Sequence, residues 1–185
     1  MLNSTLFVFT VVSVFLAVSV ESLVFVLQLK GRKFTKWFGK NAFRIHVLIT
    51  GFLWGLSFSL IVLLQFEKHP LFHQSDVLKY AGLVLLIPGL VTAVWGFKLL
   101  GIKRSFGLNF FDEDVPIVKR SLYKSIKNPE EYGFWMALVG FALFTRSSSN
   151  LVIALEFIIL MIPHMHIENI PLKKSFSFSS DKNSG

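Results

Sequence analysis

The chain contains no cysteine. That excludes a disulfide framework, a Cys-ligated zinc or iron–sulfur centre, and thiol nucleophilic catalysis. Charge is also scarce: 16% of the 185 residues are Asp, Glu, Lys or Arg, against about 25% in a soluble domain. Acidic residues are the scarcer sign, 11 against 19 basic, for a net +8. No internal repeat with a period of roughly 20 to 50 residues is present, so a solenoid is excluded. What is abundant is apolar surface. Hydrophobic residues make up 53% of the chain, 21 of them Phe, and the mean hydropathy is +0.61. Such a composition excludes both a disordered chain and an ordinary soluble domain. In a membrane protein the basic excess reports cytoplasmic loops and anionic lipid headgroups, so no nucleic-acid partner is expected. The length suits one membrane domain, residues 1–174, followed by a disordered tail over 175–185.

A spanning helix needs about 20 mostly apolar residues. Three runs qualify: Leu6 to Leu29, interrupted by Glu21; Phe43 to Phe66; and Leu78 to Gly101, with Pro88-Gly89 predicting a kink. The first reads as a retained helix, because no basic residue precedes it and no small-residue cleavage site follows. In the second, Gly51, Gly55 and Ser59 form a small-residue stripe at spacing four, which predicts close helix packing. Two shorter runs, Tyr132 to Thr145 and Leu151 to Pro163, flank the polar knot Arg146-Ser147-Ser148-Ser149-Asn150 and predict a tight helical hairpin. The fold class is therefore all-α, a polytopic bundle of about five transmembrane helices. Six Lys and Arg lie in Lys30 to Arg44, seven in Lys98 to Lys127, and three in the tail. Five spans with the N-terminus outside and the C-terminus inside place all of these on the cytoplasmic side.

The longest connector, Ile102 to Glu131, is where chemistry is expected. It mixes aromatic residues, the acidic run Asp112-Glu113-Asp114, and basic residues. It ends in Leu122-Tyr123-Lys124-Ser125-Ile126-Lys127-Asn128-Pro129-Glu130-Glu131-Tyr132-Gly133. Pro129 suits the first turn of a helix and keeps Asn128 out of helical geometry. Glu130 and Glu131 then fall at a helix N-terminus, where negative charge is favoured. A well-capped helix start accounts for them without any activity. After the hairpin comes Pro163-His164-Met165-His166-Ile167-Glu168-Asn169-Ile170-Pro171-Leu172, where a helix puts His164 and Glu168 on one face. His166 points elsewhere, so this face supplies two ligands, and no metal is expected.

These segments resemble integral-membrane methyltransferases of the isoprenylcysteine carboxyl methyltransferase and phospholipid methyltransferase type. Those carry a loop G-x-Y-x-x-x-R-H-P-x-Y-x-G, then a helical hairpin, then E-E-x-x-L. Here Ser121-Leu122-Tyr123 stands for G-x-Y, Lys127-Asn128-Pro129 for R-H-P at the same spacing, and Gly133 for the closing Gly. Glu168-Asn169-Ile170-Pro171-Leu172 matches the last motif at its ends. The likeness covers residues 100–172, which would form the cofactor region. Asn128 replaces the His, Glu131 occupies the Tyr position with Tyr132 displaced by one, and Asn169 replaces the second Glu.

The resemblance implies an S-adenosylmethionine-dependent enzyme transferring methyl to a membrane lipid or lipidated substrate, of the isoprenylcysteine carboxylate or phospholipid amine type. It implies cofactor contacts at Val115, Pro116, Ile117, Val118, Tyr123, Asn128, Pro129, Glu130, Glu131, Tyr132 and Glu168. Glu131 and His164 are the candidates for assisting proton transfer from the acceptor. Two other readings stay open: an NADPH-dependent sterol or fatty-acyl reductase-like enzyme on a similar scaffold, and a non-catalytic membrane scaffold of the same fold. Glu21 and Glu156 stand inside apolar runs, where an ionisable group is expensive. For Glu21 a polar neighbour is the simplest partner; for Glu156 the readings are a neutral, hydrogen-bonded carboxyl between helices and a proton-relay or acceptor-binding role in the substrate cavity. The oligomeric state is not readable.

Overall fold

The computed structural model describes residues 5–66, 76–111, 121–168 and 170. Five long helices dominate: α1 (Thr5–Leu29), α3 (Ala42–Leu64), α4 (Asp76–Leu100), α7 (Pro129–Thr145) and α8 (Ser148–Glu168). Short helices fill the connectors: α2 (Lys33–Phe38), α5 (Ile102–Ser105) and α6 (Leu108–Phe111), with 3₁₀ turns at Gly39–Asn41 and Ser121–Lys124. Among the described residues there is no strand. The chain is thus a polytopic helical membrane bundle. Four stretches are long and apolar enough to cross a bilayer: Thr5–Leu29, Lys33–Leu64, Asp76–Leu100 and Ser148–Glu168. The fifth long helix, α7, has 17 residues. Large apolar side chains such as Phe9, Phe52, Val84 and Ile159 stand outward on the spans, as a lipid-solvated surface requires. The tail over 175–185 lies outside the described residues.

Two kinds of packing build the bundle. Helices α1, α3 and α8 meet through side chains: Val14, Val18, Ile61, Leu64, Ile153, Phe157 and Met161 form one buried cluster. Polar ties cross the same seams. Ser13 and Ser57 share a hydrogen bond of 2.8 Å, and Ser22 Oγ pairs with His164 Nδ1 at 2.9 Å. Lipid tails are as apolar as Leu, so helix association depends on packing and such bonds rather than on the hydrophobic effect.

Helices α4 and α7 meet instead backbone to backbone, and this is the most extensive pairing among the described elements. Gly82, Gly89 and Gly96 recur in sevens along α4, and Gly133 and Gly140 do so on the antiparallel α7. A Cβ built on Gly89 would stand 2.8 Å from the Gly133 carbonyl oxygen, and one on Gly133 equally close to that of Gly89. Gly82 and Gly140 are reciprocal in the same way, and a Cβ on Gly96 would meet Glu130 Cβ at 2.9 Å. A seven-residue repeat of small residues keeps this contact line facing its partner over several turns. The close approach expected on Gly51, Gly55 and Ser59 does not occur. A Cβ built on Gly51 would stand an ordinary 3.9 Å from the Phe106 ring, one on Gly55 would meet nothing within 4 Å, and Ser59 is exposed, spending its hydroxyl on the Gly55 carbonyl. Pro88 lies within α4, which continues through it to Leu100.

The hairpin turn is compact. Arg146 closes α7 in the left-handed region (φ 54), the Ser147 N–H returns to the Ala142 carbonyl, and Ser147 Oγ accepts the Asn150 N–H at 3.2 Å, opening α8. At the opposite, basic end, α5 and α6 dock onto α1 and α3. The Phe110 ring stacks on Phe25 at 4.1 Å, His46 Nε2–H donates to the Phe106 carbonyl at 3.1 Å, and Gly107 (φ +70) fits under Phe25 where a Cβ would collide.

Gly89→Ala and Gly133→Ala should each destabilise the purified protein by about 1–3 kcal/mol, the cost of overpacking, whereas Gly55→Ala should leave it unchanged. Thermal unfolding in detergent measures all three.

Candidate functional site

The polar residues of the basic end converge where α7 begins and α8 ends. The Gly96 contact sets the start of α7 against α4, so that Glu130 is 4% exposed. Pro129 occupies the first turn, and Asn128 before it is left-handed (φ 50, ψ 54), a conformation Asn tolerates better than most residues. Its side chain does not cap the helix. Instead Asn128 Nδ2 donates to Glu168 Oε2 at 3.0 Å, joining the loop before α7 to the last residue of α8 across 40 positions of sequence. The Tyr123 hydroxyl donates to Glu130 Oε2 at 2.5 Å, fastening the Ser121–Lys124 turn to α7. Burial, reinforced by the Glu130 and Glu168 carboxylates, pushes the Tyr123 hydroxyl above its ordinary range. Tyr123 is therefore a permanent donor at physiological pH.

Glu131 is half-buried on the next position of α7. It lies within electrostatic reach of Glu168, Glu130 and Glu21. Arg104 of α5 is a cation that acts on Glu130, Glu168 and Tyr123. Burial pushes the Glu130 and Glu131 carboxyls above their ordinary range, and neighbouring acidic groups raise Glu131 further. The site is thus a concentration of carboxyl groups, with an amide and a phenol as donors, that a bound cation would draw into the ionised form. It is suited to a ligand that carries positive charge and hydroxyls.

Of the residues expected from sequence, Tyr123, Asn128, Pro129, Glu130, Glu131 and Glu168 come together here. Tyr132 does not: it is 41% exposed and packs edge-on against Trp135 at 5.1 Å. His164 is buried in the α1–α8 seam, its Nδ1 engaged by Ser22 and its ring 5.4 Å from Phe25. Val115, Pro116, Ile117 and Val118 lie outside the described residues, as do Asn169, Pro171 and Leu172. Glu156 is half-buried in α8, with Oε2 unpartnered among the described residues. Glu21 has the polar neighbour expected of it, accepting the Trp54 Nε1–H at 2.9 Å. Sequence reasoning did not single out Glu21 for the site, although it lies within electrostatic range of Glu131 and Glu168. Its i, i+4 partner Phe25 packs against His164 of α8, a contact between helices that no spacing within α1 announces.

No curated protein and no solved structure matched the chain. A family model did, that of phospholipid methyltransferase, over residues 77–178. That stretch takes in α4, the loop, both arms of the hairpin and its exit, more than half of the chain and every residue of the Asn128–Glu168 and Tyr123–Glu130 pairs. With a helical membrane bundle around it, the chain belongs to the phospholipid methyltransferase family.

Proposed function

We propose that the protein transfers a methyl group from S-adenosylmethionine to the amine of a phospholipid headgroup at the cytoplasmic membrane face. The observation that carries this reading is the Asn128–Glu168 hydrogen bond, which brings the loop and the hairpin exit to one place inside the family-matched region. The donor set fits the cofactor. S-adenosylmethionine presents a sulfonium, an ammonium and ribose hydroxyls, and this site presents carboxylates and an amide. When bound, the cofactor supplies a methyl group whose carbon–sulfur bond breaks, the electron pair staying on sulfur, as the carbon–nitrogen bond forms.

Glu168 and Asn128 bind the polar groups of the cofactor. Pro129 shapes the turn beneath it. Glu130, committed to Tyr123, holds the Ser121–Lys124 turn in register with α7. An ammonium headgroup has no lone pair until it loses a proton, and Glu131 accepts that proton. His164, with Nδ1 on Ser22, assists through Nε2. Tyr132, on the outer surface, meets the lipid rather than the donor. Excess carboxylate favours an ammonium acceptor over a carboxylate one, because like charges at short range repel. In-line displacement needs alignment and exclusion of water, which a pocket at the bilayer edge provides, and it needs no metal.

The bundle is oriented with the N-terminus outside and both basic connectors in the cytoplasm, where anionic lipids attract them.

Three measurements test this reading. Asn128→Ala and Glu168→Gln should each weaken S-adenosylhomocysteine binding about tenfold in calorimetric titration, the scale of a lost hydrogen bond to a charged group. NADPH should not bind, and unchanged affinity in both variants would remove the pocket. With labelled methyl donor and vesicles containing phosphatidylethanolamine or prenylcysteine, label should appear in the amine lipid. Because native cysteine is absent, K124C in intact cells should resist an impermeant maleimide and react only after permeabilisation.

A further inference from the structure

The family match begins at residue 77, so it assigns nothing to α1 or α3. Yet one ionisable side chain from that half lies within electrostatic range of the site's carboxyl groups. Glu21 is 6% exposed, in a helix surrounded by lipid, where an ionisable group is retained only with a partner or a task. Trp54 Nε1–H holds one of its carboxylate oxygens at 2.9 Å. The Trp54 ring is itself fixed between Phe58, stacked at 5.8 Å, and Phe157 of α8, edge-on at 5.7 Å. The direction of this carboxylate is therefore set by three helices.

Its depth follows from neighbouring contacts. Ser22 is level with His164 through their hydrogen bond, and the Phe25 ring lies against His164. Glu168 is four residues further along α8, so Glu21 sits about 6–8 Å deeper in the membrane than Glu168. Glu21 is within electrostatic range of both Glu131 and Glu168. A single indole donor satisfies one edge of a carboxylate that can accept several bonds.

We propose that Glu21 is the membrane-side counter-charge of the site, facing the sulfonium end of the methyl donor while Asn128 and Glu168 hold its polar end. This rests on the reading given under Proposed function and adds a residue outside the family-matched segment. The charge is complementary to the donor and not to the product. Methyl transfer turns a cationic sulfonium into a neutral thioether, so Glu21 favours the loaded donor over the spent one. Its role is selection between the two, because a group that stabilises the sulfonium before reaction does not lower the barrier. Glu21 is accordingly a positioning and discriminating residue, and its signature is a ratio of affinities.

The test uses the full chain purified in detergent and calorimetric titration with S-adenosylmethionine and S-adenosylhomocysteine. Glu21→Gln keeps an oxygen to accept the Trp54 N–H but removes the charge. It should weaken S-adenosylmethionine binding roughly tenfold while S-adenosylhomocysteine stays within about twofold of wild type. Glu21→Asp should retain most of the preference. Trp54→Phe keeps the ring packing and frees the carboxylate. It should show a smaller loss, again confined to the sulfonium ligand, and it serves if Glu21→Gln does not fold. Equal losses for both ligands, or no loss for either, overturn the assignment of Glu21 while the pocket stands. Failure of the wild-type chain to bind either ligand overturns the functional reading beneath it.

Discussion

The architecture depends on how closely two backbones can approach. Where Gly82 and Gly89 of α4 meet Gly140 and Gly133 of α7, carbonyl oxygens occupy the space that side chains would otherwise fill. Glycine is a poor helix former in water, but within a bilayer it exposes main chain for van der Waals contact that bulkier residues prevent. The top of this seam is the contact of Gly96 with Glu130. The position of α7's first turn is thus inherited from α4 rather than from the loop between them, and Asn128, Pro129 and Glu131 are placed with it.

The other half of the molecule is organised differently. Between α1, α3 and α8 the contacts are side chains: the cluster around Val14, Ile61 and Ile153, the Trp54 ring on Phe157, and Ser22 on His164. Interlocked rings tolerate substitution better than a main-chain contact does, because side chains repack. The carboxylates lie at the boundary between the two regimes. Glu130 and Glu131 belong to the glycine-packed pair, Glu168 to the hairpin's exit, and Glu21 to the aromatic side.

Much of this arrangement is legible in the sequence. The long apolar runs locate α1, α3 and α4 to within two residues at either end, because a span is announced by length alone. The start of α7 follows from Pro129, whose ring excludes helical geometry at Asn128. The tight hairpin follows from the polar interruption at Arg146 to Asn150. The pairing of α4 with α7 is not legible in the same way. Glycines in sevens on one helix acquire meaning only when matched with glycines in sevens on its partner, and local spacing points instead to Gly51 and Gly55, neither of which meets another helix's backbone. Tyr132 shows the same limit. One position along a helix is a rotation of about 100°, which leaves Glu131 beside the carboxylates and Tyr132 at the surface. The Glu21–Trp54 bond joins residues 33 apart on separate helices, and no periodicity in either predicts it.

The brevity of α7 has a consequence for the bilayer itself. Its 17 residues extend only about 25 Å, less than the ~30 Å hydrocarbon core of an ordinary membrane. A short span is accommodated by local thinning of the lipid around it. Thinning beside α7 would bring headgroups down toward the helix's first turn, shortening the distance that a membrane-bound molecule must climb to reach Asn128 and Glu131.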